Sequence, residues 1–259
     1  SGLVSGEHVL DAVVTGDLFE LPAGTVGAAI GFQFRDEKLE SDVDGDSNAG
    51  DRAFITQPIF DFDASRDVWA TFLELGVPLA ENLELSTAVR YEKYSGNAGD
   101  TLDPKVSLLY RPFDNLTLRG SFGTGFRAPS LFQTFGNQTS LNAVLDPFTG
   151  GSTFVAITTL NNEELSPQES TTFNFGASFE PIENLEFSVD FWSFDFDDII
   201  TRVPASQLTT IAAAGQPLPV GTEVNRNDTG QLLNMVTIFT NGGELQTNGL
   251  DFSAAYTLD

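Results

Sequence analysis

Apolar and polar residues alternate with a period of two along most of this chain. Over 24–36, Val26, Ala28, Ile30, Phe32 and Phe34 are set against Gly, Gln and Arg; over 83–94, Leu83, Leu85, Thr87, Val89 and Tyr91 oppose Glu84, Ser86, Ala88 and Arg90. Over 168–180, Phe173, Phe175, Ala177 and Phe179 oppose Thr172, Asn174, Gly176 and Ser178. Successive side chains point to opposite faces in a strand, so the pattern predicts β-strands with one apolar face each. Nine runs are predicted, at about 9–20, 24–36, 66–77, 83–94, 103–111, 116–124, 168–180, 185–200 and 245–258. In the eighth the phase slips: Leu185, Phe187, Val189 and Phe191 are odd, whereas Trp192, Phe194 and Phe196 are even. A β-bulge between Phe191 and Trp192 would restore a common face.

One turn phrase recurs between the runs: Pro78-Leu-Ala-Glu-Asn-Leu, Pro112-Phe-Asp-Asn-Leu and Pro181-Ile-Glu-Asn-Leu. Pro cannot donate to a ladder, and Asn tolerates the left-handed region and bonds its own backbone. With Pro22-Ala-Gly24, these phrases predict tight hairpins at 22–24, 79–82, 113–115 and 182–184, all at one end of an antiparallel up-and-down meander. The long loops 37–64, 125–166 and 201–244 fall at the other end. Short turns on one side and long loops on the other are what a large transmembrane β-barrel requires. Leu85, Val89, Leu108, Leu118, Phe175 and Phe252 would then face lipid, with Ser86, Arg90, Ser107, Arg119, Asn174 and Ser253 toward a wet lumen. A soluble β-sandwich module binding glycans or serving adhesion shows the same alternation with its apolar face inward, but has no reason to gather every tight turn at one end. The short link at 95–99 suggests a register in which Glu84 stands opposite Arg111, a pair worth about 0.2–1 kcal/mol.

Composition narrows the classes. The chain has 37 acids against 12 bases, a net charge of -25, which excludes nucleic acid as a partner. The acids gather in loops, above all between Asp36 and Asp67. Cysteine is absent, so no disulfide or thiolate site exists. No apolar run reaches the roughly eighteen residues of a spanning helix. The start shows no signal-peptide pattern, so either the protein is not exported or the sequence is an internal piece of a longer chain.

One stretch carries a family resemblance. Residues 103–131 read Asp-Pro-Lys-Val-Ser-Leu-Leu-Tyr-Arg-Pro-Phe-Asp-Asn-Leu-Thr-Leu-Arg-Gly-Ser-Phe-Gly-Thr-Gly-Phe-Arg-Ala-Pro-Ser-Leu. This resembles the barrel of TonB-dependent outer-membrane receptors. Leu165-Ser-Pro-Gln-Glu-Ser, and the stretch from Thr240-Asn-Gly-Gly to Thr247-Asn-Gly-Leu-Asp-Phe, are similar to two further strands of that family. The resemblance implies active transport across the outer membrane of a Gram-negative bacterium, of a scarce large nutrient such as an iron-siderophore, cobalamin or a glycan. A general porin shares the architecture but lacks the 103–131 motif. The implied partners are outer-membrane lipid, a plug domain and further barrel strands outside this sequence, and the TonB energy-coupling system reached through a missing N-terminal part. On this reading residues 1–259 are an internal fragment of the barrel domain, lacking the plug and the C-terminal strands.

The candidate site residues are Gly123, Gly125, Phe126, Arg127 and Pro129, where the motif leaves its strand for a loop. Arg127 could bind an anionic ligand or a loop carboxylate, or could pair within the wall to fix the strand end. Gly123-Thr-Gly125-Phe-Arg-Ala128 also fits a relaxed dinucleotide pattern, but Pro129 and a polar loop follow where a helix is needed. Asp42-Val-Asp44-Gly-Asp46 offers oxygens for calcium yet fails the EF-hand order, and a solvated acidic loop is the plainer reading. His8 has no nucleophile elbow to serve, and Asp195 and Asp197 fit a solvated strand end better than acid–base work. No enzyme, cofactor or metal is expected.

Overall fold

A computed structural model describes residues 2–43 and 60–257. The acidic run at 44–59, with most of the calcium candidate, lies outside the described residues. In chain order the elements are β1 (Gly2–Leu21), β2 (Gly24–Asp42), β3 (Phe62–Ala80), β4 (Leu83–Tyr94), a 3-10 turn (Gly96–Ala98), β5 (Asp100–Phe113), β6 (Leu116–Arg127), α1 (Leu131–Phe135), β7 (Gln138–Asp146), β8 (Gly151–Leu160), β9 (Gln168–Ile182), β10 (Leu185–Arg202), α2 (Ala205–Ala213), β11 (Glu223–Arg226) and β12 (Leu232–Tyr256). Their pairing order is β1-β2-β3-β4-β5-β6-β9-β10-β12-β8-β7, with β11 beside β12.

The nine alternating runs form an antiparallel wall of β1–β6, β9, β10 and the second half of β12. No sandwich is built: the wall is one continuous sheet, with no second sheet against its apolar face among the described residues. All four tight turns share one end. The recurring Asn residues stitch that end together, each offering its carbonyl to the neighbouring strand: Asn82 to Arg111 N–H (2.8 Å), Asn115 to Glu180 N–H (2.9 Å) and Asn184 to Thr257 N–H (3.0 Å). Among the three, only Asn184 takes the left-handed conformation (φ 66). The repeat therefore preserves a carbonyl position rather than a backbone angle.

Registry confirms the two faces. Leu85 stands opposite Leu108, Leu118 opposite Ala177, Phe175 opposite Phe191 and Phe252 opposite Val189. On the other face, Ser86, Ser107, Ser121, Asn174 and Trp192 form a row across five strands. The expected bulge at Phe191–Trp192 is thus absent: registry runs unbroken from Phe187 to Asp197, and Trp192, Phe194 and Phe196 belong to the polar face. Trp192 fits there because Gly249 lies beneath it, where an added Cβ would stand 2.5 Å from the ring, and because its Nε1–H reaches Asp251 (3.0 Å). The irregularity comes later, around Asp198 (φ 53).

Glu84 does not meet Arg111. It faces Leu109. The 3-10 turn, closed by Tyr94 N–H to the Gly99 carbonyl (3.0 Å), starts β5 at Asp100 and sets Lys93 opposite Asp100. The slip is one pair of residues, so every side chain keeps its face.

The long-loop end holds more structure than the pattern suggested. β12 begins at Leu232, and its first half pairs in parallel with β8 and antiparallel with β11. With β7 and α2 these strands enclose a small core of Val144, Val155, Ile157, Leu208, Leu232 and Met235. Many apolar residues of the wall, by contrast, stay exposed, with Phe252 at 76% and Leu250 at 57%. A transmembrane wall buries that face in lipid and needs no core behind it.

Candidate functional site

The motif's exit lies on the polar face at the long-loop end, beside a network of charges. Alternation puts Arg35 of β2, Arg66 of β3, and Arg90, Glu92 and Tyr94 of β4 on that face. Glu92 is the hub. Its Oε1 accepts from Arg90 Nε (2.6 Å), and its Oε2 accepts from the Tyr94 hydroxyl (2.7 Å) and Arg35 Nη2 (3.2 Å). Gln33 bridges the two arginines, accepting from Arg35 Nη1 (2.6 Å) and Arg90 Nη2 (2.9 Å). Glu37 accepts from Arg66 Nε (2.8 Å), and the Arg66 guanidinium lies 5.1 Å from the Tyr94 ring centroid. Half-buried arginines shared among carboxylates in this way hold one another in fixed orientation.

The motif closes onto this network. Arg66 Nη1 donates to the Pro129 carbonyl (2.6 Å), and Phe126 meets Tyr94 edge to face at 5.9 Å. Ser130 then caps α1 in a box with Gln133: Gln133 N–H to Ser130 Oγ is 3.1 Å and Ser130 N–H to Gln133 Oε1 is 3.0 Å. Gly123 and Gly125 stand opposite Lys105 and Ser170 on the polar face. The Ser170 hydroxyl reaches the Gly125 carbonyl (3.1 Å), and a Cβ on Gly125 would press on that hydroxyl at 3.3 Å. Arg127 pairs sideways with Gln168, donating from Nε to Oε1. β6 continues through both glycines to Arg127, so no helix start faces them.

Of the five motif residues, the structure brings Phe126 and Pro129 to the network and leaves Arg127 exposed on the strand end. Sequence reasoning missed Arg35, Arg66, Glu37 and Glu92. The signal was present for Arg35, Arg66 and Glu92, each a charge at a polar-face position of an alternating run; Glu37 fell in the predicted loop 37–64, which β2 enters as far as Asp42. The Ser130–Gln133 box was legible too. His8 lies opposite Asp36 at the β1 edge, and Asp197 opposite Glu169 at the end of β10. Among the described residues no group of three His, Cys, Asp or Glu is placed to hold a metal.

A second charged centre braces the loop module. Arg226 grips buried Asp146 with both ends of its guanidinium (2.6 and 2.8 Å) and lies over the Phe148 ring (4.9 Å). The guanidinium holds the Asp146 carboxyl below the usual carboxylate range, and Asp146 raises Arg226 in turn.

Comparison with known proteins accords with this geometry. The family model described as TonB dependent receptor-like, beta-barrel, matches residues 6–259. The iron-regulated outer membrane virulence protein of Vibrio cholerae is 25% identical over 199 residues, covering 77% of this chain and 27% of that protein. A mutant ferric enterobactin receptor from Pseudomonas aeruginosa, solved with enterobactin, superposes with a TM-score of 0.69 at 15% identity, covering 96% of this chain and 33% of its own. The siderophore receptor PirA from Acinetobacter baumannii gives 0.67 at 16%, covering 97% and 35%. This chain thus spans 27% to 40% of the length of the proteins it is compared with. The chain belongs to the β-barrel family of TonB-dependent receptors, and its place is the outer membrane of a Gram-negative bacterium.

Proposed function

We propose that residues 1–259 are one stretch of barrel domain in an outer-membrane receptor that actively takes up a scarce large nutrient, an iron-siderophore before cobalamin or a glycan. The observation that carries this reading is the wall itself: an exposed apolar face, and a polar face roofed at the long-loop end by the 128–137 segment. The iron-linked names of the relatives favour the siderophore. On this reading lipid covers the apolar face, a plug fills the lumen, and TonB supplies the energy. The chain performs no covalent chemistry. Arg127, exposed at the strand exit, is the proposed ligand contact of the motif, with Gly123, Gly125, Phe126 and Pro129 holding its position.

The test uses the whole receptor in a host stripped of its own siderophore receptors. Energy-dependent accumulation of iron from one member of a siderophore panel, abolished by collapsing the proton gradient, is the expected result. Uptake of cobalamin or an oligosaccharide in place of every iron chelate would move the assignment within the class. Accumulation that ignores the proton gradient would defeat active transport altogether.

A further inference from the structure

Between the end of β10, strands β7 and β8 and the start of α2 lies a cavity of about 510 Å³. Val144, Ile157 and Val203 give it an apolar side, and the hydroxyl-bearing residues Ser140, Ser206 and Thr237 line it further. Its one charged lining residue is Arg202. Among the described residues no acid lines this cavity. Arg202 Nη1 donates to Thr159 Oγ1 (2.8 Å), and Thr159 is only 2% exposed, so a buried hydroxyl anchors the guanidinium. Among the described residues Arg202 forms no ion pair. The module's buried acid, Asp146, is already taken by Arg226.

We propose that this cavity binds the carboxylate of a small organic molecule. An anchored guanidinium with neighbouring hydroxyls suits a planar, singly charged oxyanion, which it can meet with two parallel N–H donors. A phosphate monoester would bring close to two charges against one arginine. The apolar side calls for a ligand with a hydrocarbon or aromatic body, and the volume falls within the ordinary range of small-molecule sites. The inference rests on the loop module alone and stands whether or not the bound molecule is the one transported.

The experiment uses the full receptor in detergent and 4-fluorobenzoate as probe, read by fluorine NMR line broadening, with the neutral 4-fluorobenzamide beside it. Saturable broadening of the benzoate is expected. Arg202→Gln should weaken it about tenfold, the worth of a charge-assisted hydrogen bond, while the benzamide is indifferent to the substitution. Because Arg202→Gln could disturb the module, Ser140→Trp provides a second arm: it fills the cavity with Arg202 intact and should also abolish the broadening. Benzoate binding unchanged by either variant, equal binding of benzoate and benzamide, or no saturable benzoate binding would each overturn the proposal.

Discussion

Arg119 of β6 and Asp190 of β10 meet across an intervening strand. Arg119 Nε lies 2.8 Å from Asp190 Oδ1, and the bridge passes directly over Gly176 of β9. A Cβ on Gly176 would stand 2.0 Å from Asp190 Oδ1 and 2.7 Å from Arg119 Nε. Gly176→Ala should therefore push the bridge apart and cost about 1–3 kcal/mol, as overpacking does. A double-mutant cycle checks this: in an Arg119→Ala background the same glycine change should cost much less in urea unfolding of the reconstituted receptor.

The face code gives a second expectation. Leu118→Arg should destabilise the barrel in lipid vesicles by about 2–4 kcal/mol if position 118 is near the midplane. Ser121→Arg, on the opposite face of the same strand, should assemble nearly as well as the wild type. Equal urea midpoints for the two variants would contradict the assignment of faces.

Arg66 ties the motif to the wall, so its loss should be felt in the roof. Arg66→Ala strips the buried Pro129 carbonyl of its donor, at a cost of about 1–3 kcal/mol. Amide exchange across 130–137 should speed up, while exchange in β9 and β10 stays as it was. Arg66→Lys should recover only part of the protection, because an ammonium cannot reach Glu37 and Pro129 with a planar fork.

The loop module should be acid-sensitive. Arg226 depresses the Asp146 pKa in the folded state. The pair's contribution is therefore full above the unfolded value of about 3.9 and is lost as pH falls through the lower folded value. Proteolysis between β7 and β8 by an acid-active protease should accelerate across that window. Asp146→Asn should remove this pH dependence and weaken the module by about 3 kcal/mol at neutral pH, since it leaves Arg226 with its charge unpaired.

The wall was legible because lipid imposes a strict code: every second residue must be apolar, and Leu85, Leu118 and Phe252 obey it. Trp192 broke the rule of thumb rather than the rule. An aromatic on the polar face mimics a phase slip, and only Gly249 on the neighbouring strand shows that the ring has a seat there. The Glu84 partner was misjudged because five residues at 95–99 can close a link in more than one register. The loop module was invisible because β11 has four residues and β8 pairs in parallel with β12, a long-range contact without local signature. The charge network was overlooked for a different reason: Arg66 and Glu92 look like solvated surface until the strands are set side by side.

The carbonyls of Asn82, Asn115 and Asn184 make the tight-turn rim a hem, with each stitch caught in the next. An inserted residue at the Asn82 or Asn115 turn would loosen two hairpins at once, and at the Asn184 turn a hairpin and the end of β12. At the opposite rim the ties follow no repeat, among them Ser95 N–H to the Asp67 carbonyl (2.9 Å) and Arg66 to the Pro129 carbonyl, and the 128–167 segment holds a helix and a β-hairpin. One edge of the wall is thereby held to a fixed turn length, while the other takes up segments of very different length between its strands.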